Sequence, residues 1–464
     1  MNEFESKEEL FEKAPIPKAL MTLAVPTIIS QLIHLIYNIA DTLYIGRTGN
    51  PYMIAGASLV FPLYILGVPI CNLFGIGGGS QIARMMGRGD SSEAGSVSSY
   101  SFWMSVICSL VYSLAVFIFM DPILRFLGAS EQTMLYSRQY ALLVAVLGTL
   151  PATAGSVLAH LLRNTGYSKQ ASYGMSGGGI LNIILDPLFM FVLFPKGMEV
   201  FAAALATLLS NIASLIYLAV VLIRLSDRTP LSLKPRKAFK INRIDRRQVY
   251  VVGIPSAILS GLYDVSTIVL NSRMSMHGDL QLAAVGIVMK IERLSNAFGM
   301  GLSQGMLPLV AYNFAAGNKE RMKETIKTTR KIGVSIAATC TLMYFLLAKP
   351  LCSAFMNTTA GAEAAVATLS FSILFLRLRC LASPMQFMNF SSSYSLQGMG
   401  DGTGTLIHAV MRILVVYIPA MLILDSLFGQ NGLVVALPVS ELISAAVAWF
   451  LLRHRIKKSE TAQA

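Results

Sequence analysis

The sequence predicts an all-α polytopic membrane protein of twelve transmembrane helices in two six-helix bundles, and three observations predict it. Of the 464 residues, 54% are apolar and only 13% charged, with a mean hydropathy of +0.61. Soluble domains carry about 25% charged residues, so too little polar surface remains here to coat a water-soluble globule. Apolar stretches of the roughly 20 residues that cross a bilayer recur along most of the chain. The basic residues gather in alternate loops, as topology-setting charges do.

The spans fall near 18–44, 52–80, 96–120, 133–160, 171–194 and 201–223, then near 249–273, 282–310, 331–349, 364–391, 404–425 and 432–452. Ahead of the first span, Glu3, Glu5, Glu8, Glu9 and Glu12 exclude a secretory signal, which needs a basic start and a short apolar run. Residues 1–17 are expected to be a retained cytoplasmic helix lying at the membrane surface. Loops after the second, fourth, sixth and eighth spans are basic: Arg84 and Arg88, Arg163 and Lys169, the run 224–247, and the cluster from Lys319 to Lys331. Loops after odd spans hold Asp121, Glu131, Glu199, Asp279, Glu363 and Asp425 instead. This alternation predicts an even number of spans with both termini inside. It also explains the net charge of +13 without nucleic acid.

An internal repeat divides the chain. Pro26 opens the first span and Pro255 the seventh; the same shift of 229 residues takes Gly49 to Gly278 and Ala55 to Ala284. Each half holds an even number of spans, so the halves share one orientation, as parallel repeats do. The expected organisation is an N-terminal segment 1–17, a first lobe 18–223, a basic linker 224–247, a second lobe 248–453 and a tail 454–464. Two lobes around a central cleft suit alternating access.

Charged groups inside the bilayer cost roughly 2.5–3.5 kcal/mol on insertion scales and mark function by default. On the first span, Gln31, His34, Tyr37, Asn38 and Asp41 form a polar stripe at about 100° per residue, with Pro26 permitting a bend below it. On the fifth span, Asn182 and Asp186 stand one turn apart, followed by Pro187. Two acids in one half make a candidate cation or proton site. A purely structural role stays open: Asp41 capping a helix end, Asp186 bonding across helices. In the second half, Tyr263, Asp264 and Glu441 could contact a ligand or pack helices. Lys290, Glu292 and Arg293 are expected to form a structural ion-pair network, because buried charges need partners. Arg377 and Arg379 mark the tenth span. Met385 and Met388, near Phe387 and Phe390, suit a pocket for apolar cations.

Other patterns carry little. Gly75-Ile76-Gly77-Gly78-Gly79 lacks the Gly-Lys-Ser/Thr of a phosphate loop. The five cysteines have no metal-binding or disulfide spacing, so no metal or cofactor is implied. Gly174-Met175-Ser176-Gly177 evokes an intramembrane serine protease, but only His34 among five histidines sits well inside a span to act as base.

The run Tyr37-Asn38-Ile39-Ala40-Asp41-Thr42-Leu43-Tyr44-Ile45-Gly46 resembles the first-helix signature of the multidrug and toxic compound extrusion (MATE) family. Asn182-Ile183-Ile184-Leu185-Asp186-Pro187 is similar to its fifth-helix signature. Phe74 to Gly79 and Ala311-Tyr312-Asn313-Phe314 resemble the branch of Gram-positive multidrug efflux pumps. The resemblance implies a V-shaped pair of six-helix lobes in a bacterial inner membrane, exporting cationic or amphiphilic compounds in exchange for protons or sodium. It implies coupling roles for Asp41 and Asp186, with Asn182, Tyr37, Tyr140 and Thr207 beside them, and a conformational role for Pro26. Gln31, His34, Asn38, Tyr263, Asp264, Met385 and Met388 are the candidate substrate contacts. A monomeric, non-enzymatic transporter is expected; a lipid or lipid-linked oligosaccharide flippase of the same superfamily is the alternative, and would need a basic cleft.

Overall fold

A computed structural model describes residues 7–356 and 362–461; Glu3 and Glu5 of the acidic leader lie outside the described residues. Twelve long helices follow one another: α1 (Ile16–Gly46), α2 (Pro51–Arg88), α3 (Ser91–Ile118), α4 (Glu131–Asn164), α5 (Ser168–Leu193), α6 (Glu199–Arg224), α7 (Arg243–Ser275), α8 (Asp279–Ala315), α9 (Lys319–Leu346), α10 (Glu363–Gly398), α11 (Gly402–Phe428) and α12 (Gln430–Thr461). Ten are long and apolar enough to cross a membrane by composition, and α9 makes eleven when joined to the short helix Ala348–Ala354, which turns away by 81°. The exception is α8, whose 37 residues carry Lys290, Glu292, Arg293, Asn296 and Gln304. Its polarity is a first sign that one face meets water rather than lipid.

The helices are not uniform cylinders. Pro26 and Pro255 sit at matching points inside α1 and α7, each removing a backbone donor. Single π-helical turns interrupt α2 at Asn72–Ile76, α4 at Ala141–Leu147 and α11 at Met411–Tyr417. Such turns widen a helix locally and commonly mark functional stretches.

The halves meet along a seam built on glycine. A Cβ at Gly305 of α8 would lie 2.5 Å from Ala24 Cα of α1, and one at Gly301 2.8 Å from Ile28 Cα. Likewise, a Cβ at Gly253 of α7 would lie 2.1 Å from the Leu73 carbonyl of α2, and one at Gly77 2.3 Å from that of Val249. Only hydrogen at these positions lets the backbones approach so closely. Among the described residues, every hydrogen bond joining the halves lies at the level of Gln31, Asn72, Ser260 and Gln304 or on the basic-loop side of them. Towards the opposite end the halves diverge, leaving His34 and Thr42 of α1 and Tyr263 of α7 exposed. The fold is a V whose closed vertex carries the basic loops.

Two elements depart from expectation. The leading helix Lys7–Glu12 does not lie free at a membrane surface: Leu10 and Phe11 are buried, Phe11 stacks on Tyr312 at 5.1 Å, and Arg321 donates to the Phe11 and Ala14 carbonyls at 2.7 and 2.5 Å. Its apolar pair finds a better site under the second half than at the interface, and Arg321 satisfies its terminal carbonyls. Nor are Arg84 and Arg163 solvated loop charges. Both are almost wholly buried at the seam, where the opposite half supplies acceptors that a lone helix end lacks.

The second half is stiffened by buried ion pairs. Arg412 donates to Glu441 Oε1 at 2.6 Å, Asn389 Nδ2 donates to Glu441 Oε2 at 2.6 Å, and His408 joins Asn389 Oδ1 to Ser393. Breaking such a pair strands one charge and costs about 3–5 kcal/mol. Arg412→Met is therefore expected to lower the melting temperature in detergent by several degrees, whereas Arg412→Met/Glu441→Leu recovers much of the loss. A single variant as stable as the double would refute this account.

Candidate functional site

The first half holds a cleft of about 540 Å³ lined by His34 and Tyr37 of α1, Tyr64 of α2, Asn182 of α5, and Thr207, Ser210, Asn211 and Ser214 of α6. Small residues on α5 build it. A Cβ at Gly178 would strike Ser214 Oγ at 1.9 Å, and one at Gly179 would press Ile33 at 3.0 Å. These glycines draw α5 between α6 and α1. One turn on, Asn182 emerges into the gap, and Asp186 a turn beyond it.

Asn182 Nδ2 donates to Asp186 Oδ1 at 3.1 Å and to Thr207 Oγ1 at 3.3 Å. Asp186 is fully buried and Asn182 nearly so. The Asp41 carboxylate lies close enough to Asp186 for their charges to interact, and Tyr140 stands beside both. Tyr37 and Tyr64 bring their hydroxyls together next to Asp41. Asp41 is internal to α1 and caps no helix end. Asp186 bonds within its own helix, and the cross-helix contact belongs to Asn182.

The chemistry of the cluster is defined by what it leaves unmet. Asp41 Oδ1, Asn182 Oδ1 and Asp186 Oδ2 are buried with no hydrogen-bond partner among the described residues. Buried acceptors are normally satisfied. Three hard oxygens in one cluster, two of them from carboxylates, are what a proton or small cation would complete. Only two acids contribute, and no group of three or more His, Cys, Asp or Glu side chains suited to a metal occurs among the described residues.

The other candidates disperse. Gln31 reaches Gln304 Oε1 at 3.5 Å on the cleft floor, and the Asn38 amide is committed to the His34 carbonyl at 2.7 Å. His34 is exposed and packs edge-on against Tyr37. Tyr263 is exposed and Asp264 partly buried on α7, while Met385 and Met388 are partly buried on α10. The expected Lys290–Glu292–Arg293 network does not form. Glu292 is taken by Arg379 through two bonds of 2.9 Å, because it points into the second half while its neighbours point away. Sequence reasoning missed Tyr64 and Asn211; Asn211 stands four residues after Thr207, on the same helical face.

It also missed the seam's polar bonds. Ser80 Oγ donates to the Gln397 carbonyl at 2.6 Å, and Arg84 Nη1 donates to the Gln397 and Gly398 carbonyls at 3.3 Å, capping the end of α10. Gln81 Nε2 donates to Asp245 Oδ1 at 2.6 Å, and Arg163 Nη1 to Gln304 Oε1 at 3.2 Å.

Comparison with known proteins agrees with this geometry. The MatE family signature matches twice, at residues 26–188 and 255–423, each match beginning on one of the paired prolines. The chain is 31% identical to the multidrug export protein MepA of Staphylococcus aureus (strain MRSA252) over 450 residues, covering 96% of each protein. It is equally similar to MepA of Staphylococcus saprophyticus over 452 residues, again covering 96% of each. A crystal structure of MATE in complex with MaL6 superimposes with a TM-score of 0.91 at 23% identity, over 99% of this chain and all of that one. An outward-facing multidrug resistance MATE family transporter of the MOP superfamily superimposes at 0.90 and 23%, over 99% of each chain.

Proposed function

The chain belongs to the MatE family of multidrug and toxic compound extrusion transporters, and from that membership we propose that it is a secondary antiporter exporting cationic amphiphiles against an inward flow of protons or sodium. It is a multi-pass membrane protein. On this reading it works as a monomer in the bacterial inner membrane, with the basic vertex and both termini in the cytoplasm. The V then opens outward.

The unpartnered oxygens of Asp41, Asn182 and Asp186 carry the proposal. In the outward-open state ions reach them from outside and neutralise the pair. Neutralisation weakens the hold on a cationic compound in the adjoining cleft, which leaves, and removes the charge that opposes closure of a dry outer cleft. The seam at the vertex then parts, the ions escape to the cytoplasm, and the re-exposed carboxylates attract the next cation. Each positive charge moved inward in excess of those carried out supplies about 2.3 kcal/mol per 100 mV, which at about 1.4 kcal/mol per factor of ten sustains a roughly fifty-fold gradient.

Proteoliposomes with an imposed pH or sodium gradient and a fluorescent cation test this directly. Gradient-driven movement of ethidium, with ion flux of opposite direction, is expected; transport indifferent to both gradients would sink the antiport. Asn182→Ala is expected to slow driven transport about tenfold, the lower end of what one lost hydrogen bond to a charged group costs. Rates equal to wild type would remove Asn182 from the coupling set.

A further inference from the structure

The second half presents a basic wall to the cleft, across from the stretch of α1 that carries His34. Lys290 and Arg293 of α8 are exposed, and among the described residues neither makes a hydrogen bond or ion pair. They lie eleven and fourteen residues into the helix from Asp279, about 17 and 21 Å at 1.5 Å per residue. The neighbouring helices place that depth within the apolar belt. Glu292, between them, binds Arg379, and the next carbonyl of α10, that of Cys380, accepts from Thr341 in the apolar stretch of α9. Unpaired charges at such a level face a water-filled cavity and mark a ligand path.

Helical geometry says which way they face. At about 100° per residue, Lys290 lies about 20° from the direction of Gly301 and Arg293 about 80° from it, whereas Glu292 lies about 180° away. Gly301 is the residue against which Ile28 of α1 packs, so Lys290 looks across the cleft. The pairings Gly301 with Ile28 and Gly305 with Ala24 set an antiparallel register. Continued outward, it brings Arg293 level with Ile36 and Lys290 level with Ile39, on the stretch of α1 that carries His34, Asn38 and Asp41. Arg293 is indeed close enough to His34 for their charges to interact. Asp264 shares the second-half wall from α7 but forms no ion pair with either base among the described residues. Glu292 is neutralised by Arg379, so Lys290 and Arg293 leave the wall with a net positive charge even with Asp264 beside them.

We propose that Lys290 and Arg293 form an anion-recognition subsite that binds the carboxylate of a zwitterionic amphiphile whose cationic end lies toward Asp41 and Asp186. The inference rests on the export reading and narrows its substrate class: compounds bearing both charges gain a contact that simple cations lack. For a simple cation the pair is neutral or repulsive. Lys290 supplies a compact point charge and Arg293 a planar fork that can take both carboxylate oxygens.

The test uses two dyes that differ in one group, rhodamine 110 with a free carboxylate and rhodamine 123, its methyl ester. Binding to the full-length protein is measured by fluorescence anisotropy in nanodiscs of phosphatidylcholine, with and without phosphatidylglycerol. Lys290→Gln/Arg293→Gln is expected to weaken rhodamine 110 about tenfold, the scale of a lost hydrogen bond between charged groups, and to leave rhodamine 123 unchanged or tighter. Lys290→Arg should keep the preference. Both side chains are exposed, so folding is unaffected, which an unchanged size-exclusion profile checks. Failure of wild type to bind rhodamine 123 would count against the export reading itself. Intact rhodamine 123 binding with no selective loss of rhodamine 110 overturns the subsite alone. So does equal weakening of both dyes, which points to a conformational role, or a loss confined to phosphatidylglycerol, which makes the pair a lipid site.

Discussion

Asp41→Asn is expected to reduce gradient-driven ethidium export to the level of cells or liposomes lacking the protein. The substitution keeps the shape of the side chain and its capacity to accept a hydrogen bond, and removes only the charge. The Asn38 amide remains on the His34 carbonyl and Ile33 remains against Gly179, so α1 keeps its course and the protein should purify as wild type does. What disappears is the difference between ion-loaded and ion-free states, because an amide binds no exchangeable proton and offers a cation only a neutral oxygen. Without that difference the gradient has nothing to act on, since a ligand shifts a conformational equilibrium only by its differential affinity for the two states. Asp186→Asn should behave alike, and the double variant should be no worse than either single, as groups acting as one unit are non-additive. Ethidium-induced ion release, followed with a pH- or sodium-sensitive dye in proteoliposomes, reads the coupling separately from the flux. Wild-type export by Asp41→Asn would remove this acid from the mechanism.

How much of the molecule could be read in advance depends on the distance over which each feature is determined. The stripe from Gln31 to Asp41 and the Asn182–Asp186 step are local: helical periodicity alone puts those groups on one face, and of them His34, Tyr37 and Asn182 line the cleft. The repeat is equally legible, since Pro26 and Pro255 recur at matching points of α1 and α7. The charges that sequence misplaced are those whose environment is set by the other half of the chain. Arg84 has the look of a topology-setting base at a helix end, and only the carbonyls of Gln397 and Gly398, more than 300 residues away, turn it into a buried clasp. Lys290, Glu292 and Arg293 read as a self-contained network until Arg379, 87 residues on, claims the acid and leaves two bases facing the cleft. The leading helix follows the same rule, since nothing within residues 7–14 foretells Tyr312 and Arg321 as its partners.

Gly305→Val should drive the protein out of the vertex-closed conformation without unfolding either half. A Cβ at Gly305 would stand 2.5 Å from Ala24 Cα and 2.7 Å from Ala24 N. Those are backbone atoms, so no rotamer change relieves the clash, and α1 and α8 must separate. Gly305 touches the first half through this contact, so the strain falls on the seam rather than on either lobe's own core. Overpacking of this kind costs typically 1–3 kcal/mol, roughly a 5- to 150-fold shift away from the closed vertex at about 1.4 kcal/mol per factor of ten. A transporter that must close its cytoplasmic side once per cycle then slows by a comparable factor. Spin labels at the exposed Arg88 and Glu320, in a background without the five free cysteines, should report a longer separation in the variant. Gly261→Val is the control, because nothing lies within 4 Å of a Cβ there, and it should transport normally. An unchanged distance distribution in Gly305→Val would show that the seam yields without parting, and closure would have to be controlled by polar bonds such as those of Arg84 and Gln81 rather than by the close approach of α1 and α8.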